Sequence, residues 1–271
     1  MAKRPSTTLA LQQLKPAALR TFHQALNRWY KAHGRHDLPW RQTDDAYKIW
    51  LSEVMLQQTQ VATVLARFYH PFLERFPTLE SLADDPREKV MKAWEGLGYY
   101  SRAANLHKAA IAVVEAARKH RQNKAALPNQ FEPLLALPGI GRNTAHAVLA
   151  FAYHQPVAIM EANVKRIVAR IFALETPKDE ALWAGAAMLL DTDRPFDHNQ
   201  AMMDLGALIC TPKNPACALC PANPICEGKT APQHYPQKKV KKQVPTREVT
   251  ITVTQNEKGE YHLATRKDRL L

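Results

Sequence analysis

Apolar residues recur three and four positions apart along most of this chain, which is the period of an amphipathic helix. From Pro16 to His33, the residues Leu19, Phe22, Leu26, Trp29 and Tyr30 share one helical face. The same spacing runs through 46–56, 60–74, 87–94, 102–118, 143–153, 163–174, 179–190 and 199–209. The breaks are short, and two are glycine hairpins, Gly96-Leu97-Gly98 and Pro138-Gly139-Ile140-Gly141, each leading into the next helical stretch. This pattern predicts an all-α body up to about residue 208. A polar linker follows from Pro232 to Arg247, with Lys238, Lys239, Lys241 and Lys242. The period then becomes two: Val249, Ile251 and Val253 alternate with threonines, Asn256 to Gly259 reads as a turn, and Tyr261 to Thr265 as a returning strand. A lone hairpin is marginal in water, so the expectation is the opening of a β-containing domain.

The four cysteines, Cys210, Cys217, Cys220 and Cys226, all lie within 17 residues, spaced C-x6-C-x2-C-x5-C. Thiolates gathered on one proline-rich loop supply a complete ligand set for a metal centre, whereas disulfides staple distant parts of small secreted domains. The spacing leaves iron–sulfur and zinc both open.

At 271 residues and 46% hydrophobic content, the chain is long enough for one large or two modest cores. No apolar run approaches the roughly 20 residues that a bilayer requires, so no membrane partner is expected. The first 36 residues hold seven Lys or Arg and no acid, like an organellar transit peptide, but the helical face over 16–33 assigns them to the fold. A net charge of +12 points to a polyanion, nucleic acid first, because Lys and Arg neutralise phosphates and release counterions.

Three segments carry candidate chemistry. In Leu137-Pro138-Gly139-Ile140-Gly141-Arg142-Asn143-Thr144-Ala145, two glycines let the backbone approach a phosphate, and the N–H groups of the following helix N-terminus point at the anion. In Trp50 to Thr59, Glu53 stands among apolar and amide residues, with Trp50 and Gln57 on its face; desolvation there would raise its pKa towards a value useful to a general acid. Glu161 begins the segment Glu161-Ala162-Asn163-Val164-Lys165-Arg166 near a helix start, where capping is the alternative role.

Taken together, the segment 50–58, GLGYY at 96–100, LPGIGRNTA at 137–145, ANVKR at 162–166, NQAMMDLGALIC at 199–210 and the cysteine spacing resemble the MutY-type adenine DNA glycosylases over residues 17–228 or so. The endonuclease III-type glycosylase–lyases share the hairpin and cysteines but carry a lysine where this chain has Asn143, and without that amine Schiff-base chemistry lacks its nucleophile. The resemblance implies a two-lobed, all-α helix-hairpin-helix fold. Residues 1–36 and 155–209 would form the cluster-side lobe and 37–154 the other, followed by a cluster loop at 210–228, a basic linker at 229–247 and the truncated start of a Nudix-like β domain at 248–271. It also implies a [4Fe-4S] cluster on the four cysteines, and a double-stranded DNA partner containing adenine opposite 8-oxoguanine or guanine. A monomeric protein of the bacterial cytoplasm, working at the nucleoid, is expected.

By the same resemblance, Glu53 would protonate adenine at N7, and Glu161 would stabilise the sugar cation. Trp40, Arg41, Leu56, Val61 and Gln200 would form the adenine pocket, with Gln58 and Tyr99 filling or wedging the helix. Pro138, Gly139, Ile140, Gly141, Asn143 and Lys165 would contact DNA. The chain departs from the family at Glu161, where aspartate is usual, and at Ala162, where glycine is usual. An extra methylene moves the carboxylate by one bond, and about 1 Å of misplacement can cost on the order of 100-fold in rate. The short β segment implies weaker discrimination of 8-oxoguanine from guanine.

Overall fold

A computed structural model of the chain describes residues 14–237, 246 and 253–261. Twelve α-helices are formed among the described residues: α1 (Pro16–His33), α2 (Ala46–Leu56), α3 (Val61–Arg67), α4 (Tyr69–Arg75), α5 (Leu79–Asp84), α6 (Arg87–Ala93), α7 (Ser101–Lys119), α8 (Phe131–Leu135), α9 (Arg142–Ala152), α10 (Ala162–Ile171), α11 (Asp179–Leu189) and α12 (Pro195–Leu208). Short 3-10 turns carry the chain through 39–41 and from 217 to 234. No helix among the described residues is long and apolar enough to cross a membrane.

The helical period bent in one place and missed two short elements. The stretch expected over 60–74 is two helices broken at Phe68, whose φ is −125°. Pro71 explains the break, because a proline inside a continuous helix has no N–H to donate and its ring clashes with the carbonyl four residues back. Helix α5 is too short to show a period, but a capping box begins it: Thr78 Oγ1 accepts from Ser81 N–H at 3.1 Å, and Ser81 Oγ accepts from Thr78 N–H at 3.0 Å. Helix α8, five residues containing Pro133, carries no pattern at all.

Two apolar cores result. One, around Trp50, Phe72, Phe76, Trp94 and Leu134, is built from residues 38–149. The other, around Phe22, Leu26, Phe151, Ile167 and Leu205, joins α1 and the end of α9 to α10–α12. Helix α2 runs between them, sending Ile49 into one and Trp50, Leu51, Val54 and Met55 into the other. A helix apolar on both sides is held inside the protein, so its one carboxylate, Glu53, is drawn inside with it.

The segment 253–261 is a separate unit. Gln255 and Tyr261 form one antiparallel bridge, and Asn256 Oδ1 accepts the N–H groups of Lys258 and Glu260 across the expected turn. The strand positions expected at 249–252 and 262–265 lie outside the described residues.

The hairpin before α9 tests the local geometry. Gly139 has φ +78°, and a Cβ there would come within 2.7 Å of Asn105 Cβ, whereas a Cβ on Gly141 would meet nothing within 4 Å. Gly139→Ala is therefore expected to cost about 1–3 kcal/mol in denaturant unfolding. Gly141→Ala is expected to cost less, about 0.5–1 kcal/mol, the ordinary preference of an N-cap for glycine over alanine, because its backbone is in ordinary extended conformation.

Candidate functional site

Seven residues singled out in the sequence line one cavity of about 200 Å³: Trp40, Arg41, Glu53, Leu56, Val61, Glu161 and Gln200. They arrive from the 39–41 turn, α2, the start of α3, the residue capping α10 and the first turns of α12. A larger hollow of about 750 Å³, lined by the end of α10 and residues 224–235, holds none of them.

Burial holds the Glu53 carboxyl well above the usual carboxylate range; the neighbouring charge of Glu161 pushes the same way and Arg41 opposes it. Glu161 is also raised by burial, with Arg41 and then Arg35 pulling it back. Glu161 occupies the N-cap position of α10 but makes no capping hydrogen bond, so its carboxylate is left to the cavity. The two carboxyl groups thus share one space with unequal cationic support. Two further polar atoms there are buried without a protein partner, the donor Arg41 Nε and the acceptor Gln200 Oε1.

Behind Arg41 lies Asp204, fully buried on α12, which the sequence reading passed over. Its Oδ2 accepts from Arg41 Nη1 at 2.7 Å and from the Arg35 backbone N–H at 2.9 Å, while its Oδ1 accepts from Arg41 Nη2 at 2.9 Å and from Arg35 Nη2 at 2.6 Å. Burial opposes ionisation of Asp204, but these bonds, Arg41's first, hold its carboxyl below the ordinary range. The available signal was the four-residue spacing from Gln200, which puts both on one face of α12.

Gln58 and Tyr99 lie outside the cavity, exposed and both in left-handed backbone conformation, at φ +58° and +48°. One buried side chain, Arg102, fastens both of their loops. Its Nη1 donates to the carbonyls of Val54 at 2.8 Å, Met55 at 2.9 Å and Gln57. Its Nη2 reaches Thr59 Oγ1 at 3.3 Å and the carbonyls of Leu97 and Gly98 at 3.4 Å. The guanidinium also lies 5.3 Å from the Tyr99 ring centroid. Nothing in the sequence distinguished this arginine from a surface one.

At the glycine hairpin, Gly139 and Gly141 are exposed and Pro138 half-buried, leaving backbone open to a ligand. Ile140, among the expected DNA contacts, has a buried side chain that anchors the hairpin. Asn143 also turns inward in part, its Oδ1 accepting the Met160 N–H at 2.6 Å and so tying α9 to the residue before Glu161. Lys165 stands at the surface in an ion pair with Asp179 at 2.9 Å.

Residues 51–185 match the HhH-GPD superfamily of base excision DNA repair proteins. The chain belongs to the HhH-GPD superfamily. Among its relatives, the adenine DNA glycosylase of Buchnera aphidicola subsp. Schizaphis graminum is 40% identical over 228 residues, covering 82% of this chain and 64% of that protein. The adenine DNA glycosylase of Homo sapiens is 40% identical over 226 residues, covering 79% of this chain and 40% of that protein. The chain thus spans about two fifths to two thirds of the length of these relatives. A thermostable thymine-DNA glycosylase structure superposes with a TM-score of 0.70 at 26% identity, over 78% of this chain and 96% of that one. An endonuclease III–DNA complex shares the fold at 19% identity, with a TM-score of 0.62 over 78% of this chain and 96% of that one.

In this HhH-GPD chain the four cysteines line one small cavity at the end of α12. Among the described residues no three His, Cys, Asp or Glu side chains are grouped closely enough to hold a single metal ion. Burial pushes the thiols of Cys220 and Cys226 up to about 11 and about 12. Arg170, itself buried, closes the site by donating to Cys210 Sγ at 3.2 Å and to the carbonyls of Thr211 and Pro232 at 2.7 and 2.9 Å.

Replacing Arg102 by methionine should keep its packing volume but strip the donors from buried carbonyls. The expected loss is roughly 3 kcal/mol of stability. Amide exchange should quicken in 57–60 and 97–100 before it does in the α9 core; uniform exchange across the HhH-GPD chain would rule out the fastening role.

Proposed function

We propose that this protein is a monofunctional DNA glycosylase that excises adenine mispaired with 8-oxoguanine or guanine. The reading rests on one observation above all: a single small cavity contains two carboxyl groups of unequal cationic support beside an unpaired donor and an unpaired acceptor. Adenine presents its N6 amino donor next to N7, a pattern that Gln200 Oε1 complements by accepting from N6 while N7 is left to the acid, Glu53. A base can reach such a cavity only by leaving the stack, and the exposed Gln58 and Tyr99 would occupy the space it vacates. The open backbone of Gly139 and Gly141 would position the duplex through its phosphates, without reading sequence.

In the proposed reaction Glu53, kept protonated by burial, delivers its proton to N7, making neutral adenine the leaving group. As the glycosidic bond breaks, positive charge develops on the sugar, and Glu161, with both arginines favouring its ionised form, offers the stabilising anion. Water then adds to the sugar and leaves an abasic site. Asn143 supplies no amine for a Schiff base, which favours hydrolysis without strand cleavage.

The four thiols around one cavity are proposed to hold a [4Fe-4S] cluster. Thiolates on a single zinc ion lie about 3.8 Å apart, as Zn–S bonds of roughly 2.3 Å in a tetrahedron require, whereas a cluster spreads its ligands wider. Bound, the cluster would tie the 210–226 loop to α10. Purified protein should show broad absorption near the blue edge of the visible, lost in Cys226→Ala; a colourless zinc protein would contradict the assignment.

Single-turnover assays on duplexes carrying A:8-oxoguanine, A:G, T:G and oxidised pyrimidines test the substrate. Adenine release is expected, and release of thymine without adenine would overturn the reading. Glu53→Gln should slow excision by at least about 100-fold while leaving duplex binding intact. Since the acid form is the active one, the parent rate should be highest below the raised Glu53 pKa and fall as pH climbs through it. If only Glu161→Asp released adenine, the chain would instead be a DNA binder that does not cut.

A further inference from the structure

Four charged side chains, Arg35, Arg41, Glu53 and Glu161, face the cavity, and the Asp204 carboxylate is bonded to both arginines from behind. Two guanidinium groups thus meet three carboxyl groups, and the assembly is electrically neutral when one carboxyl keeps its proton. Which one keeps it is set by position. Asp204 accepts five hydrogen bonds from Arg35 and Arg41 and is fully buried. Glu161 faces both arginines, while Glu53 has only Arg41 to oppose its burial and the Glu161 charge. The Arg41 side chain is 4% exposed, and its Nη1 also donates to the Arg35 carbonyl at 3.1 Å, so it cannot turn out to water. Tyr30 of α1 borders the same arginine and, being itself held protonated by burial, adds no charge.

We propose that Asp204 is a positioning residue for base excision: it pins Arg41 together with Arg35 and neutralises the Arg41 charge in place, so that Glu53 meets the substrate with no free cation beside it. The inference rests on the glycosylase reading for its consequence, but its physical content lies in the chain's own charges. Without Asp204, Arg41 would keep its full charge in a site of low polarity and turn it on the two glutamates. Glu53 would then ionise at lower pH, and the acid would be lost near neutrality. No other element supplies a carboxylate to Arg41 among the described ion pairs.

The test uses the full chain and reads Glu53 directly, as the carbonyl band of its protonated carboxyl in infrared difference spectra, assigned by its loss in Glu53→Gln. In Asp204→Asn the midpoint of that band should move down by roughly one pH unit or more, the size of shift a nearby opposite charge produces. The alkaline limb of the adenine-excision profile should move with it, and Asp204→Glu should restore both. Excision that falls equally at every pH with an unmoved midpoint would reduce Asp204 to a packing role and overturn the inference. Should Asp204→Asn not fold, Asp204→Ser decides in its place, its small hydroxyl leaving room for water between the two arginines: the midpoint should again fall, an unchanged value being fatal to the proposal. If the midpoints move as expected but the parent releases no adenine, the glycosylase reading falls while the charge assignment stands.

Discussion

Several turns beside the candidate site and around the cysteine loop are held by guanidinium groups largely taken out of water. Arg102 binds five main-chain carbonyls and a hydroxyl across two loops without any carboxylate. Arg166 reaches the carbonyls of Gly206 and Cys210 at 2.7 Å each, and Arg170 those of Thr211, Pro212, Pro232 and Tyr235. Arg41 does the same for the cavity, through Asp204 and the Arg35 carbonyl. Such groups are expensive to bury, and the cost is offset only when nearly every N–H finds an acceptor. That requirement works as a specification of geometry: the loops must present their carbonyls at set points, and the segments beside them inherit that precision.

The same arginines revise the meaning of the chain's charge. A net +12 reads from sequence as a footprint for phosphate, yet several of the cations responsible face inward. Charge count therefore overstates the cationic surface available to a polyanionic partner. Recognition of a duplex would fall instead to exposed backbone at Gly139 and Gly141 and to strained, exposed residues at 58 and 99, whose left-handed backbone is over-determined by Arg102.

Periodicity revealed the long helices because each has one face against a core, and it failed where no face is long enough, in α5 and α8, or where Pro71 divided a continuous pattern. Motif resemblance singled out residues that line the cavity, since those side chains sit in short recognisable runs. Arg102 was invisible for a different reason, and Asp204, although it lies within the run at 199–210 and on the Gln200 face of α12, gave no sign of its partners. Their roles are pairings across 163 and about 45 positions, which no local window contains. Glu161 was legible as a helix start, but its failure to cap α10, which frees the carboxylate, is a matter of side-chain direction and had to be seen.

The proposed use of one glutamate as an acid and another as an anion sets a physical conflict, because burial raises both carboxyls. Free cations would settle the matter the other way and ionise both. The arrangement here lies between these limits: two arginines stand close enough to favour charge on Glu161, while Asp204 takes up enough of their field that Glu53 is not drawn along. The separation of roles therefore depends less on the distance between the glutamates than on a third carboxylate outside the cavity.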